Sequence, residues 1–76
     1  MYTLGVDIGS TTSKAVILED GENIVASSIV VATVGTAGVE EAVKNVLNSS
    51  KLELKDIKSV VATGYGRMNY DLADYK

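Results

Sequence analysis

Residues 2–19 read YTLGVDIGSTTSKAVILE, two apolar segments separated by the small-residue turn Gly9-Ser10-Thr11. In the first segment, Tyr2–Ile8, every second residue is apolar, which is typical of a strand with one buried face. The second segment, Thr12–Glu19, is apolar at four successive positions, which favours a strand covered on both sides. This stretch therefore predicts two antiparallel strands joined by a tight turn.

The residues that follow extend this pair into a mixed sheet. Asp20-Gly21 predicts a type I′ hairpin turn. Both central residues of such a turn need positive φ, and Asp-Gly is one of the pairs preferred there for that reason. We expect a third strand over Asn23–Ala32 and, after a loop of small residues at 33–38, a helix over Val39–Asn48. A fourth strand is expected over Lys58–Thr63. The predicted order is β-β-β-α-β, an α/β fold.

In this fold the first three strands are antiparallel and the sheet order is 3-2-1-4. The fourth strand is expected to lie parallel to the first, because the helix returns the chain to the other end of the sheet. The helix is expected on one face, through an apolar stripe with the spacing of helical turns. The stripe consists of Val39, Val43, Val46 and Leu47.

Composition excludes several classes of function. The chain has 76 residues, a net charge of −3, and no cysteine, histidine or proline. Disulfides, thiolate metal sites and histidine-based catalysis are therefore excluded within it. The scattered basic residues argue against nucleic-acid binding. No signal peptide or membrane span is recognisable, so a cytoplasmic protein with no membrane partner is expected. Residues 1–76 are interpreted as a single partial domain.

The stretch from Asp7 to Lys14 predicts a phosphate-binding site. A small-residue turn can expose backbone amides from Gly9 to Thr12 to phosphate oxygens, and its hydroxyls add donors. Lys14 supplies a charge, while Asp7 can hold Mg²⁺ through water. The predicted site residues are Asp7, Gly9, Ser10, Thr11, Thr12 and Lys14, with Asp7 as both the catalytic and the metal-binding residue. Asp and Ser are also common in ordinary turns, so these residues alone leave a plain hairpin open.

The strand-turn-strand followed by a β-α-β unit resembles the first phosphate motif of the actin, Hsp70 and sugar-kinase superfamily. The resemblance implies an N-terminal half-domain of the ribonuclease H-like fold that binds ATP or ADP with Mg²⁺. Residues 7–14, DIGSTTSK, together with residues 62–67, ATGYGR, are similar to the BadF/BadG/BcrA/BcrD ATPase family. Within that family the chain looks like the activators of 2-hydroxyacyl-CoA dehydratases.

The resemblance implies an ATPase that drives electron transfer into a dehydratase partner. Members of this kind are homodimers that share a 4Fe–4S cluster held by cysteines of both subunits. This chain has no cysteine, so it cannot ligate the cluster. The second phosphate motif and the adenosine-binding segment of the family are also missing. We therefore expect an N-terminal portion that does not hydrolyse ATP alone and binds ATP·Mg no tighter than about millimolar.

Two alternatives stay open at this point. One is a sugar or acetate kinase-like domain of the same superfamily, although residues 63–67 offer no acid for catalysis. The other is a non-catalytic binding or structural module. Arg67 follows the fourth strand, where ligands gather in open α/β sheets. It could contact phosphate, an acid or the partner protein, or it could simply be solvated.

Overall fold

The computed structural model describes residues 1–9, 11–31 and 37–64. The predicted loop at 33–36, Arg67 and the rest of the tail lie outside the described residues, as does the predicted end of the third strand at Ala32. The elements in chain order are β1 Tyr2–Ile8, β2 Thr12–Glu19, β3 Asn23–Val31, α1 Ala37–Ser50, a 3₁₀ helix Leu54–Asp56, and β4 Ile57–Thr63.

The strands form one sheet of order β3-β2-β1-β4, which confirms the predicted topology. β2 pairs antiparallel with both β1 and β3. β4 pairs parallel with β1. β1 is therefore an inner strand with a neighbour on each side, and its last residues lie beside the start of β2 and the end of β4.

The β2–β3 hairpin has the turn that Asp20-Gly21 predicts. Asp20 has φ of 55° and Gly21 has φ of 75°, as a type I′ turn requires. The same turn is held to the start of β1, because the Asp20 amide donates to the Met1 carbonyl over 2.7 Å. The Met1 ammonium also lies 3.1 Å from Asp20 Oδ1.

The inner face of the sheet packs against α1 and forms the core. On β1 it consists of Leu4, Val6 and Ile8, as the alternation predicts. The other buried apolar residues are Ala15, Ile17, Val39, Ala42, Val43, Val46, Val60 and Ala62. Leu47, the last member of the predicted stripe, is partly buried against this core. Asn45 Nδ2 donates to Ser28 Oγ over 3.2 Å, which ties α1 to β3.

The outer face of the sheet is uncovered in the described part of the chain. Ile29 is 66% exposed and Val31 is 78% exposed on this face. Val16 and Leu18 of β2 are only half-buried there. The expectation that β2 is covered on both sides is therefore wrong for the described residues, because a run of apolar residues does not reveal whether a second layer is present.

The helix is longer than predicted by two residues at each end. Ala37 and Gly38 belong to α1 rather than to the preceding loop; the prediction began at Val39 because the apolar stripe on which it was based begins there. At the other end the Ser50 hydroxyl donates to the Val46 carbonyl over 2.7 Å. The 3₁₀ helix was not predicted, because three residues show no hydrophobic period. No helix in the described ranges has the length and apolar character needed to cross a membrane.

The two faces of the sheet predict a large and a small loss of stability for the same substitution. Ile17 is fully buried against α1, whereas Ile29 is 66% exposed on the outer face. We expect Ile17→Ala to lower the free energy of unfolding by about 2–5 kcal/mol, because it removes buried methyl groups and leaves a cavity. Ile29→Ala is the matched control and should change it by less than about 0.5 kcal/mol. Urea unfolding followed by circular dichroism measures both, and equal effects would contradict the assignment of faces.

A second prediction concerns alkaline pH. The negative charge of Glu19 raises the pKa of Tyr2 above 10.0, with desolvation, a hydrogen bond to Glu19 and the charges of Asp56 and Asp20 adding to the effect. The folded state thus holds this proton more tightly than the unfolded state. The resulting stability is present below about pH 10 and is lost as the pH rises through the folded-state pKa. In Tyr2→Phe the loss of stability above about pH 10 should be shallower; identical slopes in urea unfolding would contradict the shift.

Candidate functional site

Three polar side chains form a row across the outer face at the turn end of the sheet. Asp7 of β1 pairs with Lys14 of β2 in the antiparallel ladder. It pairs with Thr63 of β4 in the parallel ladder. Residues paired across neighbouring strands point to the same face, so the carboxylate lies between the ammonium group and the hydroxyl. The structure thus brings two predicted site residues, Asp7 and Lys14, together with one that sequence reasoning did not assign.

The two charged members of this row, Asp7 and Lys14, do not form an ion pair with each other. Asp7 and Lys14 are both exposed. The ion pairs found in the described ranges are Met1 with Asp20 and Lys55 with Glu53, so the Lys14 ammonium and the Asp7 carboxylate are more than 4.0 Å apart. Both charges are therefore available to a ligand that approaches the outer face.

Thr63 contacts the Asp7 carboxylate directly. Its hydroxyl lies 3.2 Å from Asp7 Oδ1 and donates to it. The Thr63 hydroxyl oxygen also lies 3.4 Å from the Val6 carbonyl oxygen, which is a longer contact. Both acceptors are on β1, so the parallel register of β4 aims the Thr63 hydroxyl at the end of β1.

Gly64 passes close to the same carboxylate. It has φ of +91°, in the region that glycine adopts without strain. A Cβ at this position would collide with the Ile8 carbonyl and lie 2.7 Å from Asp7 Oδ1. Only glycine therefore allows the chain to leave β4 at this point without displacing Asp7.

The turn between β1 and β2 differs in one respect from the expectation. The Gly9 amide donates to the Thr12 carbonyl over 2.8 Å, so it is engaged inside the turn. The expectation that all amides from Gly9 to Thr12 face a ligand is therefore wrong for Gly9. A Cβ on Gly9 would lie 3.1 Å from the Thr12 carbonyl oxygen, a tight contact, which explains a glycine there. Thr11 is exposed, and Ser10 lies outside the described residues.

A concavity of about 420 Å³ opens beside this row on the outer face. Gly5, which lies two residues before Asp7 on β1, forms part of its floor. Val16 and Val61, the partners of Gly5 on the neighbouring strands, are also in the lining. The concavity is thus apolar at its floor and charged at the rim nearest the turn, where Asp7 and Lys14 lie.

This arrangement presents one positively and one negatively charged side chain to solvent on the same face. An exposed carboxylate and an exposed ammonium lie on adjacent strands at one end of a concavity, next to a turn with hydroxyl side chains. No group of three or more side chains suited to direct metal ligation occurs within residues 1–9, 11–31 and 37–64. Because Mg²⁺ gives up its waters reluctantly, a metal ion here would be held by the one carboxylate through water, and its ligand oxygens would come from water and phosphate.

Sequence reasoning missed Thr63 and Gly64 as members of the site. They lie close to Asp7 because of the parallel register between β1 and β4, in which Asp7 pairs with Thr63. A small hydroxyl residue followed by glycine at the end of a buried strand was the available signal.

A model of the BadF/BadG/BcrA/BcrD ATPase family matches residues 4–76. The chain is similar to the 2-hydroxyisocaproyl-CoA dehydratase activator of Clostridioides difficile, with 53% identity over 74 residues, which are 97% of this chain and 28% of that protein. It is 50% identical over 74 residues to the activator of lactoyl-CoA dehydratase of Anaerotignum propionicum, covering 97% of this chain and 29% of that protein.

The fold agrees with these relatives. The solved structure of the activator of the 2-hydroxyisocaproyl-CoA dehydratase from Clostridium difficile with bound ADPNP superimposes with a TM-score of 0.94 at 52% identity, over 99% of this chain and 28% of that one. The chain thus spans less than a third of the length of these relatives, and its fold is that of the N-terminal part of an actin-like, ribonuclease H-like ATPase. These findings do not favour the sugar or acetate kinase alternative. The chain belongs to the BadF/BadG/BcrA/BcrD ATPase family.

Proposed function

We propose that this chain is the phosphate-binding portion of an ATP-dependent activator of a 2-hydroxyacyl-CoA dehydratase. The observation that carries the proposal is the pair Asp7 and Lys14, which lie side by side on adjacent strands, exposed and not joined in an ion pair. It is supported by the similarity to dehydratase activators and by the ADPNP bound in one of the solved relatives. The proposed ligand is ATP or ADP with Mg²⁺.

The proposed roles follow from position and charge. Lys14 offers a fixed positive charge to phosphate oxygens from the start of β2. Asp7 holds the water shell of Mg²⁺ from the end of β1, which is the catalytic and metal-binding role proposed for it. The hydroxyls of Ser10, Thr11 and Thr12 donate to phosphate, and Gly9 contributes space, since its own amide is bonded within the turn. When bound, Mg²⁺ neutralises the charge that develops on phosphate oxygens during transfer.

The chain supplies only part of what hydrolysis requires. Phosphoryl transfer depends on positioning and charge stabilisation from several directions. The described residues offer one turn, one carboxylate and one ammonium group on a single face. The chain also contains no cysteine, so it contributes no ligand to a 4Fe–4S cluster. Electron transfer, the dehydratase partner and the homodimer are accordingly proposed for the whole activator in the cytoplasm, and the chain alone is proposed to be inactive.

The role of Lys14 is tested in a chimera in which these residues replace the matching segment of the C. difficile activator. We expect Lys14→Met to weaken ADP binding about 10- to 100-fold, because a charge-assisted hydrogen bond contributes about 1.5–3 kcal/mol. Lys44→Met, which removes an exposed lysine from α1, is the matched control and should leave the dissociation constant unchanged. Isothermal titration measures all three proteins, and an unchanged constant in Lys14→Met would show that Lys14 faces only solvent.

The role of Asp7 is tested in the same chimera through magnesium. We expect Asp7→Asn to abolish Mg²⁺-dependent ATP hydrolysis, because the amide keeps the shape of the side chain but loses the charge that holds the metal. Glu41→Gln, at an exposed acid on α1, should keep the parent rate. Phosphate release across a magnesium titration is the measurement. If Asp7→Asn hydrolyses ATP at a near-normal rate, the metal is held by another group and the assignment of Asp7 is wrong.

A further inference from the structure

We infer that Thr63 and Gly64 are positioning residues that hold the Asp7 carboxylate in one orientation, with one oxygen tied to β4 and the other left for the hydrated metal. Neither residue belongs to the strand-turn-strand motif of residues 7–14. The functional meaning of this orientation rests on the proposed function, whereas the orientation itself does not.

An exposed aspartate on a strand has rotational freedom unless something restricts it. Its χ1 angle has three staggered positions, and the carboxylate points in a different direction in each of them. Asp7 is exposed and is not joined to Lys14, so its neighbours on β2 do not select a position. A metal ion held through ordered waters requires a carboxylate with a fixed direction, because each water must reach its acceptor. The restriction must therefore come from another element.

Thr63 provides the attractive part of this restriction. Its hydroxyl donates to Asp7 Oδ1 over 3.2 Å from the neighbouring parallel strand. Threonine is branched at Cβ and thus stiff at χ1, so its hydroxyl is a better-defined donor than that of serine. Thr63 is itself exposed, and its side chain is not part of the core. Its contact with Asp7 is thus a polar contact whose removal costs little packing.

Gly64 provides the steric part. The chain turns away from β4 at Gly64 with φ of +91°, against the end of β1. A Cβ there would lie 2.7 Å from Asp7 Oδ1, closer than the two atoms can approach. The missing side chain leaves the space in which the Asp7 carboxylate meets the Thr63 hydroxyl. Any larger residue would push the carboxylate toward Lys14 or distort the end of β1.

The first experiment measures the orientation of Asp7 in the 76-residue chain by NMR. Three-bond couplings between the Asp7 α and β protons should report a single χ1 rotamer in the parent. In Thr63→Val, which keeps the shape and removes the hydroxyl, they should report averaging among rotamers. Thr63→Ser, which restores the hydroxyl, should recover most of the parent couplings. A single unchanged rotamer in Thr63→Val would overturn the inference.

The control is Thr3→Val, because Thr3 lies on the same outer face at the opposite end of β1. This variant undergoes the identical chemical change and should leave the Asp7 couplings as in the parent. If Thr3→Val disturbed them as much as Thr63→Val, the effect would be a general loosening of the sheet and the inference would fall. Gly64→Ala adds a second variant, and we expect displaced signals for Asp7 and for Ile8 at the end of β1, with the amide pattern of the rest of the sheet preserved.

The second experiment uses the chimera with the C. difficile activator, with Mg²⁺ and a fixed excess of ADP as the probe, and follows the ¹³C signal of the Asp7 carboxylate. We expect Thr63→Val to weaken the apparent affinity for Mg²⁺ about fivefold, because the lost hydrogen bond orients the carboxylate but does not itself contact the metal. Thr63→Ser and Thr3→Val should stay near the parent value. Affinity unchanged in Thr63→Val would overturn the inference while leaving the proposed function intact. If Mg²⁺ with ADP leaves the Asp7 signal of the parent unmoved, the proposed function falls, and the rotamer measurement still decides the inference.

Discussion

The parallel pairing of β4 with β1 is the contact on which the rest of this structure depends. β4 therefore runs in the same direction as β3, which precedes it in the chain. Parallel strands cannot be joined by a tight turn, so the chain must leave the sheet after β3, form a crossover and return. α1 is that crossover, and its apolar stripe closes the core over β1, β2 and β3. The same pairing brings the end of β4 to the end of β1, so that residues 56 positions apart in sequence share a hydrogen bond.

Successive side chains of β1 point to opposite faces of the sheet, so the strand contributes to the core on one face and to the candidate site on the other. Leu4, Val6 and Ile8 are buried beneath α1, while Gly5 and Asp7 belong to the outer face. Burying three large apolar side chains anchors the strand, and this anchor is what makes the position of a charged residue at its end well defined. The carboxylate itself stays exposed to solvent.

The sequence predicts the sheet well because its signals are local. The period of two in β1, the Asp20-Gly21 turn and the apolar stripe of the helix each lie within one short window, and all three are confirmed. Helix ends were less accurate, since Ala37, Gly38 and the serines at 49 and 50 do not extend the apolar stripe from which the helix was predicted. Whether a second layer covers β2 could not be predicted, because the outer face of a strand looks alike before and after another element packs on it.

The candidate site could be predicted only in part, for a related reason. Asp7 and Lys14 face each other across a tight turn, so a local motif is enough to place them together. The contact of Asp7 with Thr63 depends on the register between distant strands, and a shift by one residue would turn Thr63 to the other face. The bond of the Gly9 amide to Thr12 is likewise a matter of turn geometry that residue types do not specify.

Gly5 has a consequence for how stability and open space are balanced in this sheet. A Cβ at Gly5 would lie 3.4 Å from Val16 Cγ1, an ordinary contact, so alanine fits at this position without strain. Glycine inside a strand lowers stability by roughly 0.5–1 kcal/mol relative to alanine. Packing among the described residues therefore does not require the glycine, and the molecule gives up strand stability while the concavity keeps its depth. A methyl group at this position, as in Gly5→Ala, would stabilise the sheet and make the concavity shallower.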